Sequence, residues 1–188
     1  MHPPIDSKLP RVGTTIFTVM SRLAAEHGAI NLSQGFPDFE PPERLLDLAS
    51  HHMRKGGAGN QYAPLAGLPS LRQAIAAKVF EYYGRTVDPD NEITVTSGGT
   101  EALFCAVQAV VRAGDEVILL DPAYDSYEPA VELAGGRAVH VPLQRPDFGI
   151  DWQRLRDAIT PRTRLLVVNF PHNPSGATLD AADLDTLA

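Results

Sequence analysis

The second half of the chain alternates short apolar runs with amphipathic segments, and this alternation constrains the fold more than any other feature of the sequence. The runs at 116–120 (EVILL) and 164–170 (RLLVVNF) are almost continuously apolar, which is typical of strands covered on both faces. The predicted strands are 92–96, 116–120, 138–143 and 164–170, and the predicted helices are 100–112, 126–134, 151–159 and one beginning near 179. Strands that alternate with helices favour an α/β fold with a mostly parallel sheet.

The first half of the chain predicts helices joined by turn-rich loops. Helical patterning covers 14–27, 42–55 and 70–83, with Ser70 as the expected N-cap of the third helix, and 30–32 is predicted as a short strand. We expect 1–45 to form an N-terminal arm and part of a small domain, and 46–188 the first part of a large α/β domain. The closing segment LDAADLDTLA has no helix stop signal, so we expect an N-terminal fragment.

Charge and composition exclude several classes of protein. The formal net charge of -7 disfavours a nucleic-acid surface, which requires clustered Lys and Arg. No apolar stretch approaches the ~18 residues of a membrane span, and the N-terminus lacks the apolar core of a secretory signal. The single cysteine, Cys105, allows no intramolecular disulfide, and we expect it in the core. Together these features favour a cytoplasmic protein.

The segment SGGTE at 97–101 joins a predicted strand to a predicted helix. Gly98 and Gly99 let the backbone approach an anion closely, and the free N–H groups and dipole of the following helix favour negative charge there. The hydroxyl of Thr100 adds a donor. The segment matches neither of the nucleotide-binding patterns G-x-x-x-x-G-K-[ST] and G-x-G-x-x-G. Two interpretations stay open: a phosphate cradle, or a plain strand-to-helix turn capped by Thr100.

Two further loops follow predicted strands. Tyr124, in DPAYDSY, is placed to lie against a planar ring, because ligands of open α/β sheets bind outside the carboxyl ends of the strands. Asn173, in NFPHNPSG, offers an amide that donates and accepts, and a cis bond to Pro174 would direct it toward the strand ends. The alternatives are an ordinary core or surface tyrosine and a loop of turn formers. His172 either lines the same pocket or is a solvated loop histidine.

Two turns in the first half complete the set of candidates. Gly35, in NLSQGFPD, presents an unobstructed backbone N–H to a carboxylate. Tyr62, in NQYAP, lies in a loop. Either turn alone is ordinary, and the argument for a site comes from the three later loops, which all follow predicted parallel strands and can therefore meet in one pocket.

Taken in order, QGFPDF, NQYAP, SGGTEAL, DPAYDSY and NFPHNPSG resemble the motifs of class I/II aminotransferases over nearly the whole chain. The sequence from KLPRVGTTIF to NLSQGFPDF resembles most closely that of bacterial methionine aminotransferases and kynurenine aminotransferase-like proteins. The resemblance implies a fold-type I enzyme with pyridoxal 5'-phosphate as cofactor, whose three-layer large domain binds that cofactor. It implies transfer of an amino group from a methionine-like, aromatic or glutamine-like amino acid to a 2-oxo acid.

The resemblance also implies roles for the candidate residues. Gly98, Gly99 and Thr100 would hold the cofactor phosphate, and Tyr124 would stack on the pyridine ring. Asn173 would hydrogen-bond the phenolic oxygen. Gly35 would contact the substrate carboxylate through its backbone. In a homodimer, Tyr62 would reach across the interface to the phosphate of the other subunit.

The lysine that binds the cofactor covalently in this family has no counterpart among Lys8, Lys55 and Lys78, the three lysines present. We therefore expect it beyond residue 188, and expect this 188-residue piece alone to be inactive. The catalytic set is thus empty within this sequence, and adjacent His51 and His52 face apart, so no metal site is expected. The alternatives are a cysteine-conjugate β-lyase, a non-catalytic aminotransferase-like binding domain and a nucleotide-binding module.

Overall fold

The structure is a computed structural model and describes residues 6–35 and 37–188. It comprises two compact units. One is Thr96–Ala188 with the described residues up to Val12, and the other is Gly13–Val95. The organisation into 1–45 and 46–188 stays a prediction.

From α4 onward, the helices and strands follow one another in the order that the sequence predicts. The elements are α1 Ile16–Glu26, α2 Glu43–Lys55, a 3₁₀ turn Gly57–Asn60, α3 Pro69–Tyr83, α4 Gly99–Val110, β1 Glu116–Asp121, α5 Tyr127–Leu133, β2 Arg137–Pro142, α6 Trp152–Ala158, β3 Thr163–Val167 and α7 Ala181–Leu187. The α/β alternation from α4 to α7 is confirmed.

Three parallel strands form the sheet of the first unit, in the order β2-β1-β3. Strand β1 is central, and Val117, Ile118 and Leu119 are 0 % exposed. Successive side chains point to opposite faces of a strand, so β1 contributes to two cores. The core against α4 and α5 contains Val107, Val111, Val117, Leu119, Ala130 and Val131. The core on the α6 side contains Ile118, Leu120, Val141, Leu143, Ile150 and Leu155. The predicted mostly parallel α/β fold is therefore confirmed.

At the amino-terminal ends of the strands, one buried carboxylate connects neighbouring segments of the sheet. Glu116 is 1 % exposed. Its Oε1 accepts hydrogen bonds from Arg137 Nη2 at 2.8 Å and Arg162 Nε at 2.9 Å, and its Oε2 accepts one from the Thr160 hydroxyl at 2.7 Å. The hydrogen bonds from Arg137, Thr160 and Arg162 lower the pKa of Glu116 from 4.5 to about 2. This carboxylate therefore connects the starts of β1 and β2 with the turn before β3.

Two predicted strands are wrong. Residues 30–32 and 92–96 are not strands, and neither segment pairs with a strand among the described residues. Ile30 and Leu32 are 86 % and 88 % exposed, and the Val95 N–H donates to a loop carbonyl, that of Ala66, at 3.0 Å. A short alternating or apolar run adopts an extended backbone without the hydrogen-bonded neighbour that makes a strand.

Two smaller expectations also need correction. Helix α3 begins at Pro69 with Leu68 as its N-cap, so Ser70 lies inside the helix, because proline at the first helical position already has the required φ and needs no N–H partner. Cys105 on α4 is exposed rather than in the core. Within residues 6–35 and 37–188, no helix is both long and apolar enough to cross a membrane.

Candidate functional site

The carboxyl edge of the sheet brings together the segments that follow β1 and β3. Asn169 Nδ2 donates a hydrogen bond of 3.1 Å to the hydroxyl of Tyr127, the first residue of α5. The ring of Tyr124, in the loop after β1, meets that of Tyr127 edge-on, with 5.6 Å between the ring centroids. The segments that follow β1 and β3 are thus in direct contact, whereas the 97–101 loop follows no strand among the described residues, and a common pocket for the three loops stays a prediction.

Helix α4 joins this edge through an apolar cavity. The cavity has a volume of about 250 Å³ and is lined by Leu103 of α4, by Ser126 and Tyr127, and by Val167 and Val168 at the end of β3. The Ser126 hydroxyl is a buried polar atom without a hydrogen-bond partner in the part of the chain that the structure describes. The middle of α4 therefore lies beside the start of α5 and the end of β3.

The glycine turn before α4 leaves backbone donors free. Gly98 is the N-cap residue with φ +92°, and no side chain caps the helix. The N–H groups of Gly99, Thr100 and Glu101 open the helix, where backbone donors have no intrahelical acceptor. A Cβ on Gly98 or Gly99 would meet no atom within 4 Å. The turn therefore borders open space, and capping by Thr100, the second interpretation of this segment, does not occur.

One carboxylate already lies on this turn. Glu101 Oε2 accepts the Ser97 N–H at 2.5 Å, and Thr96 donates its hydroxyl to the Gly98 carbonyl at 2.9 Å. These contacts fix the backbone before α4 and use the Ser97 donor. The N–H groups of Gly99 and Thr100 lie in the first turn of α4, where they have no acceptor within the helix.

The Asn173 loop is held by its own backbone and by a buried histidine. His172 is 5 % exposed, so the solvated alternative for it is wrong. Its ring Nδ1 lies 2.7 Å from the Ser175 hydroxyl. Its backbone N–H donates to the Ala177 carbonyl at 2.7 Å, and its backbone carbonyl accepts the Gly176 N–H at 2.7 Å. The Asn173–Pro174 bond is cis, and Asn173 itself is exposed. The loop thus presents the Asn173 amide to the outside.

Sequence reasoning did not single out His140 of β2. Its Nδ1 lies 2.9 Å from Asp121 Oδ1, and its Nε2 lies 3.7 Å from Glu128 Oε2. The hydrogen bond with Asp121 is the main cause that raises the pKa of His140 above its ordinary value. No local sequence signal marks His140, because its partners come from β1 and α5 and only the fold brings them together.

Gly35 and Tyr62 belong to the unit Gly13–Val95. Tyr62 is 102 % exposed, and a Cβ on Gly35 would meet no atom within 4 Å. Near Gly35, the Asn31 carboxamide accepts the Ser33 N–H at 3.1 Å and donates to the Ser21 hydroxyl at 3.0 Å, which fixes the turn before it. Phe36 of the same motif lies outside the described residues. The roles of Gly35 and Tyr62 stay predictions.

Comparison with known proteins gives one consistent result. Residues 27–188 match the family model described as "Aminotransferase class I and II". The methionine aminotransferase of Escherichia coli (strain K12) is 53% identical over 181 residues, which is 96% of this chain and 46% of that protein. The human kynurenine–oxoglutarate transaminase 1 is 40% identical over 178 residues, 89% of this chain and 42% of that protein. The chain spans about half the length of the curated relatives it matches.

Solved structures agree with this match. The crystal structure of an Escherichia coli protein identified as a methionine aminotransferase superposes with a TM-score of 0.92 at 53% sequence identity, over 98% of this chain and 48% of that chain. The N-succinyldiaminopimelate aminotransferase of Mycobacterium tuberculosis superposes with a TM-score of 0.91 at 45% identity, over 98% of this chain and 48% of that chain. The fold and the sequence motifs therefore point to the same relatives.

Proposed function

This chain belongs to the aminotransferase class I and II family, and we propose that its carboxyl-edge loops hold pyridoxal 5'-phosphate in an enzyme that moves an amino group from an amino acid to a 2-oxo acid. The observation that carries the proposal is the open glycine turn at the start of α4. There a Cβ on Gly98 or Gly99 would meet nothing within 4 Å, and the first helix donors have no partner within the helix.

The phosphate of the cofactor fits this turn chemically. Its oxygens accept hydrogen bonds from the N–H groups of Gly99 and Thr100 and from the Thr100 hydroxyl, while the α4 dipole favours the negative charge. Glu101, whose carboxylate accepts the Ser97 N–H, lies at the same turn and places a like charge beside it. We propose that the phosphate binds on the Gly99 and Thr100 side, away from that carboxylate.

The ring of the cofactor is assigned to the two neighbouring loops. Tyr124 is half-buried and packs edge-on against Tyr127. This contact fixes the orientation of the Tyr124 ring, whose face can stack on the cofactor. Asn173 offers an amide donor to the phenolic oxygen. When bound, the cofactor supplies an electron sink for the charge that develops as the Cα proton of the amino acid leaves. Tyr124 and Asn173 orient the ring for that step.

The substrate and the partner are assigned to the unit Gly13–Val95. Gly35 presents its backbone N–H to the substrate carboxylate, and Tyr62 reaches the cofactor phosphate of a second subunit in a homodimer. The complete exposure of the Tyr62 ring supports a contact outside its own unit. The proposed donor is methionine-like, aromatic or glutamine-like, and the names of the bacterial and human relatives support the first two of these classes. The single cysteine is in keeping with a cytoplasmic enzyme.

The test of this proposal is the binding of pyridoxal 5'-phosphate and of pyridoxal, which lacks the phosphate. We expect the purified chain to bind the phosphorylated form more tightly. Thr100→Ala should lower the affinity for pyridoxal 5'-phosphate about tenfold, since a hydrogen bond to a charged group contributes about 1.5 kcal/mol. The same substitution should leave the affinity for pyridoxal unchanged. Thr186→Ala, a hydroxyl in α7 that donates to the Ala182 carbonyl, is the matched control. Equal affinity for both compounds would refute the phosphate assignment.

A further inference from the structure

The loop that carries Tyr124 has one side chain in contact with both of its ends. Residues 122–126 follow Asp121, the last residue of β1, and precede Tyr127, the first residue of α5. His140 on the adjacent strand β2 contacts Asp121 at 2.9 Å through Nδ1 and approaches Glu128, in the first turn of α5, at 3.7 Å through Nε2. The imidazole ring therefore spans the loop from its first anchor to its second.

The protonation state decides whether both contacts are attractive. A neutral imidazole has one N–H, so it donates to only one of the two carboxylates, whereas the imidazolium form donates from both nitrogens. Strand alternation places His140 on the face that carries Ala138 and α5, opposite the α6 side. The geometry thus favours a charged His140 between two anions.

Three other charged groups lie on the described elements around His140. On α5, Glu132 is paired with Arg11. On β2, Arg137 is paired with Glu116 at the opposite edge of the sheet. Asp125 is an exposed residue of the loop itself. The groups that face the imidazole are therefore Asp121 from β1 and Glu128 from α5.

We propose that charged His140 is a positioning residue that fastens both ends of the 122–126 loop and thereby sets the orientation of Tyr124. The inference rests on the proposed function, in which Tyr124 lies against the cofactor ring. His140 touches neither cofactor nor substrate in this account and acts through the loop.

The sign of the pH dependence follows from the raised pKa of His140. Below the ordinary value of 6.5 the imidazole is charged and both contacts are made. As the pH rises through the raised folded value, the proton is lost and the Glu128 end of the loop is released first, because its contact is the longer one. The Tyr124 loop should then become more mobile at alkaline pH.

The first arm of the test uses the chain without any ligand. In ¹⁵N-labelled protein titrated from pH 5 to 9, the amide shifts of Tyr124 and Asp125 should follow the titration of the His140 ring and stop following it in His140→Gln. In Glu128→Gln, which keeps the imidazole, the His140 titration should move to lower pH. His52→Gln on α2 is the control and should leave the Tyr124 titration intact. Tyr124 shifts that ignore the His140 titration would overturn the proposal.

The second arm measures pyridoxal 5'-phosphate affinity at pH 6 and pH 9, as the ratio between wild type and His140→Gln. We expect about threefold weaker binding by the variant at pH 6, the size typical of partly exposed ion pairs, and no difference at pH 9. The same ratio at both pH values would overturn the positioning role. If neither protein binds the cofactor while the Tyr124 shifts still follow His140, the proposed function fails and the fastening of the loop stands.

Discussion

Asn169 and Tyr127 join the two loops of the candidate site through one hydrogen bond, from Asn169 Nδ2 to the Tyr127 hydroxyl at 3.1 Å. Asn169 follows β3 and Tyr127 begins α5, so the bond connects segments that are 42 positions apart in the chain. Tyr127 also packs against Tyr124, the side chain that we propose stacks on the cofactor ring. The position of Tyr124 therefore depends on the loop that carries Asn173.

Removing the Tyr127 hydroxyl should loosen this connection without disturbing the core. We expect Tyr127→Phe to lower the free energy of unfolding by about 0.5–1.5 kcal/mol, the net value of one hydrogen bond, because the ring that packs on the core is retained. Chemical denaturation measures the change. Tyr83→Phe on α3, where the side chain is exposed, is the control and should have no effect; an equal loss in both variants would refute the role of this bond.

The Glu116 cluster predicts a specific response to acid. The folded pKa of about 2 lies below the ordinary 4.5, so the contribution of Glu116 to stability is complete above about 4.5 and is lost as the pH falls toward 2. The free energy of unfolding should therefore fall across this window, and Glu116→Gln should make the fall shallower. Glu81→Gln, at an exposed residue of α3, should keep the wild-type slope. Identical slopes in all three proteins would contradict the assignment.

Gly136 is a close approach of backbone to core. A Cβ there would lie 2.7 Å from Val111 Cγ1 and 3.1 Å from Val131 Cγ1. Gly136→Ala should therefore lower the free energy of unfolding by about 1–3 kcal/mol, as overpacked cores do. Gly149→Ala, where a Cβ would meet nothing within 4 Å, should change it by less than about 0.5 kcal/mol. Thermal unfolding of both variants measures this difference in stability. Equal stability of the two variants would contradict the close packing of Gly136 against Val111 and Val131.

The sequence predicts the central sheet well because its signal is local. Residues 117–120 of β1 are all apolar, as expected for a strand that is buried on both faces. The wrong strand at 92–96 shows the limit of such patterns, since an extended segment becomes a strand only when a neighbour pairs with it. His140 and Glu116 were missed for a related reason: their partners come from other elements, and a charge at the start of an apolar run gives no sign of whether it is buried and paired.

The same reasoning explains the candidate site. Gly98, Tyr124 and Asn173 are predicted as site residues because glycine turns and loops after strands have recognisable compositions. The order of the strands, which decides that the loops after β1 and β3 are neighbours, is a property of the whole sheet. The burial of His172 behind Asn173 likewise depends on how the loop closes on Ser175 and Ala177.

The lysine content predicts what this chain does with the cofactor. Lys8, Lys55 and Lys78 are the lysines present, and the family resemblance predicts that none of them is the lysine that binds the cofactor covalently. With pyridoxal 5'-phosphate and borohydride, we expect the folded chain to be labelled in the same pattern as the denatured chain, which serves as control, and to show no methionine-dependent turnover. Labelling concentrated on one lysine of the folded chain, together with turnover, would contradict this expectation.

The most direct test of the phosphate cradle is the affinity of Gly99→Ala for pyridoxal 5'-phosphate, measured by calorimetry. A Cβ at Gly99 meets no atom within 4 Å, so the variant should fold and unfold like the wild type, as Gly149→Ala should. The new methyl group would occupy the space assigned to the phosphate, so the affinity should fall at least about tenfold, and inorganic phosphate should no longer compete. Unchanged affinity in a folded Gly99→Ala chain would contradict the account.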